Sequence, residues 1–147
     1  MEAVKVKKLS KDAQIPQKQH CGDAAFDVCV PNDVTIHKGR NLIPLDFAIE
    51  LPHGYAALMR ARSGFSLKGM EARDGTRKDA DVITGLIDEN YRGNVGVIVK
   101  SNENFVISKG TRIAQMQLYA VPNLFFNEVT ELDDSSRGAN GFGSTGK

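Results

Sequence analysis

Short apolar runs recur along this chain roughly every 8–12 residues, separated by Gly, Pro or Asn, and that rhythm argues an all-β sandwich or barrel. Val4, Val6 and Leu9 alternate with lysines and read as a short edge strand. Asp23–Val30 is the next strand: Phe26, Val28 and Val30 share one face, so Asp27 points away from the core. Further strands are expected at Val34–Ile36, Asn41–Glu50, Tyr55–Arg62, Val95–Val99, Phe105–Ile107 and Thr111–Ala120. Convincing helical periodicity is absent, apart from one short turn after Ser63 through Leu67.

At 147 residues the chain is expected to form one domain. The formal net charge of +1 does not suggest a nucleic-acid binder, which normally carries a strongly basic face. No apolar run approaches the ~20 residues needed to span a bilayer, and no signal peptide is visible behind the N-terminal lysines. Cys21 and Cys29 do not form a metal or CxxC pattern and read as free thiols in a reducing, cytoplasmic compartment. His20, His37 and His53 are scattered. Two segments do not fit a compact sheet. Ser66–Asp81 is densely charged, with an Asp74-Gly75 turn signal, and Glu131–Lys147 is polar and glycine-rich. Fully extended, that tail reaches about 50 Å, far enough to cross to another subunit. The expected organisation is a core over residues 1–130, with a charged insertion at about 66–81, and a flexible arm over 131–147.

Four stretches carry chemistry. In Gly85-Leu-Ile-Asp-Glu-Asn-Tyr-Arg-Gly93, Asp88 follows two apolar residues and precedes Tyr91 by three positions. With the alternating Val95, Val97 and Val99, Gly85–Val99 reads as a hairpin-like turn holding an acid and a ring at fixed separation. An acid with short apolar flanks is less hydrated, which suits a general base near neutral pH. Arg62-Ser63-Gly64 offers a guanidinium, a hydroxyl and a backbone amide to an anionic oxygen; it reads equally as a strand terminus with an N-cap serine. In Thr111–Gln117, Ile113, Gln115 and Gln117 are expected on one face and Arg112, Ala114 and Met116 on the other. The tail adds Arg137, Ser144, Thr145 and a lone ring, Phe142, among glycines. Gly141–Lys147 satisfies GxxxxGK but has no preceding buried strand, so it is not read as a P-loop.

Taken in order, these stretches resemble the five sequence motifs of the trimeric dUTPases. Asp23-Ala-Ala-Phe-Asp-Val28 resembles the first, Arg60–Gly64 the second and Gly85–Gly93 the third. Lys109–Gln115 resembles the fourth and Arg137–Gly146 the fifth. The resemblance implies a jelly-roll β-barrel, a homotrimer with a glycine-rich C-terminal arm, and Mg2+-assisted hydrolysis of dUTP to dUMP and pyrophosphate. That activity keeps uracil out of DNA and supplies dUMP. Carried onto this chain, it makes Asp88 the base that deprotonates the attacking water and sets Tyr91 against the deoxyribose. It places Val82, Gly85 and Ile87 at the base, with backbone groups of a Val82–Leu86 hairpin reading the uracil edge. Arg62, Ser63, Gly64 and Gln115 hold phosphates, and Asp27 meets the metal through water. From another subunit, Phe142 covers the uracil while Arg137, Gly143, Ser144 and Thr145 close on the outer phosphates.

The chain departs from the family pattern at Ala25, where Gly is usual, at Phe26, at Thr84, and in the length between Gly64 and Gly85. The insertion reads as a solvated protrusion or as a binding element for a protein partner, since some viral and phage members carry extra segments here. A viral source would put the chain in host cytoplasm or nucleus. Two alternatives to the hydrolase remain: a dCTP deaminase-like enzyme and a non-catalytic or moonlighting regulatory binder on the same fold.

Overall fold

The computed structural model describes residues 2–144. Thirteen strands and one short helix are formed among them. In chain order they are β1 (Lys5–Lys8), β2 (Phe26–Cys29), β3 (Val34–Ile36), β4 (Gly39–Pro44), β5 (Phe47–Glu50), β6 (Tyr55–Arg60) and α1 (Ser63–Lys68). They continue with β7 (Met70–Glu71), β8 (Arg77–Lys78), β9 (Ala80–Ile83), β10 (Gly85–Ile87), β11 (Gly96–Ser101), β12 (Phe105–Ile107) and β13 (Arg112–Ala120). All the pairings are antiparallel. The two larger sheets run β10-β6-β13-β2 and β4-β11-β9, with β1-β5, β12-β3 and β7-β8 completing the all-β barrel. Alternation puts one residue in two inside: Val97, Val99 and Ser101 on β11, and Phe105 and Ile107 on β12, meet Phe47, Ile36, Ile43 and Met59 in one core.

Several sequence expectations need correction. The run Asn41–Glu50 is two strands, because Asp46 takes a positive φ of 60° and Val95 enters the gap. The Leu45 N–H donates to the Val95 carbonyl at 2.9 Å, and the Val95 N–H donates to the Phe47 carbonyl at 2.8 Å. Asn94 ties the break from the side, accepting from the Asp46 N–H at 2.9 Å and donating to its carboxylate at 3.2 Å. Neither Gly85–Val99 nor Val82–Leu86 is a hairpin. β9 pairs with β11, whereas β10 pairs with β6 in the other sheet, so the chain crosses between sheets at Thr84. Strict alternation also fails on β13, where a bulge between Arg112 and Ala114 buries Ile113 and Ala114 together.

The two segments set apart by composition fare differently. The charged stretch folds as the β7–β8 hairpin and is pinned to the barrel, with Met70 fully buried and Ala72 and Ala80 nearly so. Its Arg73 N–H donates to the Val106 carbonyl at 2.7 Å. After β13 the chain leaves the barrel at Val121, ten residues before the boundary that composition suggested, and Leu124, Phe125, Phe126 and Leu132 all stand exposed.

Candidate active site

Strand register builds the first site. On β13, Gln115 lies beside Asp27 of β2 on one side and Arg60 of β6 on the other. Past Arg60 the chain turns into α1, so Arg62 comes back over that row. Its Nε lies 3.2 Å from Oδ1 of Asp27, while Arg112 reaches Oδ2 at 3.4 Å. Gln115 Nε2 donates to the Ala61 carbonyl at 3.0 Å and holds the turn. Arg62 also lies over the ring of Phe65, the buried residue of α1. Arg62 stands at the N-cap position with no side-chain cap bond, so the N-cap serine reading is overturned; Ser63 is the first helical residue. The result is a polar hollow of about 570 Å³ lined by Asp27, Arg62, Ser63, Gly64 and Gln115. Cys29, on the same strand as Asp27, has its thiol pushed up by burial and by the Asp27 charge, partly offset by Arg112 and Arg62. It therefore stays protonated and is a poor nucleophile.

A second, apolar slot of about 230 Å³ lies where β10, the following turn and β11 meet. Gly85, Ile87 and Tyr91 line it together with Leu86, Ile83 and Gly96. Val82 does not: it is buried and pairs with Val99, and its neighbour Ile83 faces the slot instead. Tyr91 donates its hydroxyl to the Asn94 carbonyl at 2.9 Å, and its ring packs on Gly93, where a Cβ would come 2.5 Å from the phenolic oxygen. Only glycine admits the ring there. Asp88 follows Ile87 directly, and its carbonyl accepts the Tyr91 N–H at 3.1 Å, so acid and ring ride on one turn. The expectation that apolar flanks strip water from Asp88 is corrected, because Leu86 and Asp88 are both exposed and only Ile87 is buried.

Behind the acid, Glu89 accepts from the Gly54 N–H at 2.7 Å and contacts His53 Nδ1 at 2.8 Å. Those contacts, the Gly54 amide foremost, hold the Glu89 carboxyl below its usual range. In return Glu89 raises the His53 imidazole. The third group, on the arm, stays apart. Arg137, Phe142, Gly143 and Ser144 are exposed or nearly so, and Arg137 Nε donates to the Asn140 carbonyl of its own turn at 2.7 Å. No described arm residue lines either depression. Thr145 lies outside the described residues.

A family model for dUTPase matches residues 11–146. The chain belongs to the dUTPase family. It is 39% identical over 147 residues to the deoxyuridine 5'-triphosphate nucleotidohydrolase of Clostridium tetani, covering 98% of this chain and 97% of that protein. The enzyme of the same name from Oryza sativa is 38% identical over 146 residues, covering 97% of this chain and 80% of that protein. The fold matches that of the Staphylococcus bacteriophage 80alpha dUTPase with dUPNHPP at a TM-score of 0.84, with 28% identity and full coverage of both chains. A dUTPase variant from phage phi11 of S. aureus, described with a structural Mg(II) ion, matches at 0.77 with 24% identity, covering 88% of this chain and 98% of that one.

Among the described residues of this dUTPase-family chain, no three His, Cys, Asp or Glu side chains cluster as a metal cage. In the hollow, both Asp27 oxygens already face guanidinium groups. That donor set fits a hydrated ion carried in on phosphates and met through water, not one held by the protein alone. Sequence reasoning missed Arg112, Arg77 and Glu71 in the hollow, and Ile83 and Gly96 in the slot. Arg112 sits inside the fourth motif opposite Cys29, and its side chain reaches Asp27 from there; the others reach their site only through tertiary placement.

Proposed function

We infer that this chain hydrolyses dUTP to dUMP and pyrophosphate, as a dUTP diphosphatase. The observation that carries the site assignment is the convergence of Asp27, Arg62, Ser63, Gly64 and Gln115, far apart in sequence, on one anion-suited hollow. Guanidinium and hydroxyl donors at fixed positions suit a polyphosphate, and preorganised donors of this kind stabilise charge as it develops. The apolar slot suits a pyrimidine and its sugar. Tyr91, held by Gly93 and Asn94, stacks on the deoxyribose and leaves no room for a 2′-hydroxyl. Backbone groups between Ile83 and Leu86 read the uracil edge. Asp88 orients the attacking water and takes its proton. Mg2+, when bound with the phosphates, neutralises charge repulsion.

The cradle, the slot with its acid, and the arm are separate in one chain. We propose that three copies assemble so that the cradle of one, the acid of a second and the arm of a third share each site. Phe142 then covers the base, and Arg137, Gly143, Ser144 and Thr145 close on the outer phosphates. Cys21 and Cys29 are free thiols, in keeping with work in a reducing, cytoplasmic compartment.

Pyrophosphate release from dUTP, dTTP, dCTP and UTP tests the substrate reading: dUTP alone should turn over quickly. Asp88→Asn should fold, bind dUTP, and lose at least the ~10²–10⁴ in rate that general-base help supplies. Wild-type turnover in that variant would remove Asp88 from the role.

A further inference from the structure

The β7–β8 hairpin was expected to decorate the surface or hold a partner, yet it forms a wall of the phosphate hollow. Glu71 and Arg77 line the same cavity as Arg62, Ser63 and Gly64. The hairpin is fixed there from several sides. Met70 is buried beneath it, the Arg73 N–H bonds to the Val106 carbonyl, and Lys78 pairs with Glu103 at 3.3 Å. Its approach to the hollow is thus built into the barrel rather than left to a loose loop.

The three arginines of the hollow are not equivalent. Arg62 and Arg112 each face an oxygen of Asp27, a carboxylate with only 13% of its side chain exposed. Arg77 sits opposite Glu71 in the hairpin register, with Nη2 3.5 Å from its carboxylate and Nη1 3.3 Å from the Gly69 carbonyl. Both contacts are long for a hydrogen bond from a charged donor. A guanidinium has five N–H donors, so Arg77, 45% exposed, keeps most of them for a ligand. The ligand of this hollow carries several negative charges, more than Arg62 can balance while Asp27 compensates it.

We propose that Arg77 is a phosphate-binding residue of the dUTP site, aimed by Glu71, and that the hairpin exists to deliver it. The proposal rests on the dUTPase reading for its substrate. Arg77→Ala should raise KM for dUTP about 10- to 100-fold, the range one charged hydrogen bond supports, and should weaken tripolyphosphate binding by a similar factor. The melting temperature should hold, and dUMP, which lacks the outer phosphates, should inhibit within about two-fold of its wild-type strength. Arg77→Lys, which keeps the charge but not the fork, should restore part of the loss. Asp74→Ala at the hairpin tip, outside the hollow, should behave as wild type. Unchanged KM and unchanged tripolyphosphate affinity in Arg77→Ala would overturn the proposal. If the wild type failed to hydrolyse dUTP, the activity reading would fall, and tripolyphosphate binding, which needs no turnover, would still decide the role of Arg77.

Discussion

The β7–β8 hairpin and the arm beyond Val121 look alike in one respect: neither belongs to the regular strands of the barrel. The hairpin is crowded with charge yet is drawn in, because Met70 and Ala72 give it buried apolar anchors and Ala80, just after it, is buried as well. The arm carries more large apolar side chains, including Leu124, Phe125, Phe126 and Leu132, and is left out. Hydrophobic content therefore does not decide what a barrel absorbs; the availability of an uncovered partner surface does. The hairpin finds one on its own chain. Among the described residues the arm finds none there, and the exposed apolar run suits the contact with another copy that we propose for it.

The sharpest way to break this contrast is to remove the arm. A chain ending at Glu131 should keep its melting temperature while turnover falls about 10²-fold or more, the scale of losing positioned donors at the reacting phosphates. Full activity in the truncated chain would make the arm an ornament. Met70→Ala should do the reverse, costing about 2–5 kcal/mol of stability by opening a cavity under the hairpin, read by denaturant unfolding. A loss below about 1 kcal/mol would mean the hairpin is laid on the barrel and not anchored in it.

The smallest effect should come from His53, beside the root of the arm. Glu89 raises the folded pKa of this imidazole above its ordinary 6.5. The stabilisation it contributes is then fully present below pH 6.5 and is lost as pH rises through the raised folded value. The ring is fully exposed, so solvent screens the pair. His53→Ala should melt slightly earlier than wild type at pH 6 and together with it well above the raised value. A gap that persists at alkaline pH would point to packing instead of charge.

Where burial repeats with period two, the sequence was easy to read. Val34–Ile36 and Phe105–Ile107 are strands at the limits their alternation implies, and Asp27 lies off the core face, as the pattern of Phe26, Val28 and Val30 requires. The break at Asp46 was not legible, because its cause is Val95, far away in sequence, bonding between β4 and β5. The pairing of β10 with β6 failed to show for the same reason: periodicity tells which residues face inward but not which sheet receives them. Of the site, Arg62, Ser63, Gly64, Gln115 and Asp27 were legible as motifs. Arg77 was not, since nothing local distinguishes it from the other charges around Asp74-Gly75.

Gly54 joins the arm's root to the turn of the acid. Its N–H grips the Glu89 carboxylate one position past the proposed base, and its carbonyl accepts from the Val121 N–H where the arm departs. Its φ of 83° suits glycine, although a methyl there would meet no atom within 4 Å. The start of the arm and the turn carrying Asp88 are thus hydrogen-bonded to the same residue, at the edge of the barrel rather than through its interior. Where the arm departs therefore also fixes where Glu89, the neighbour of the acid, is held.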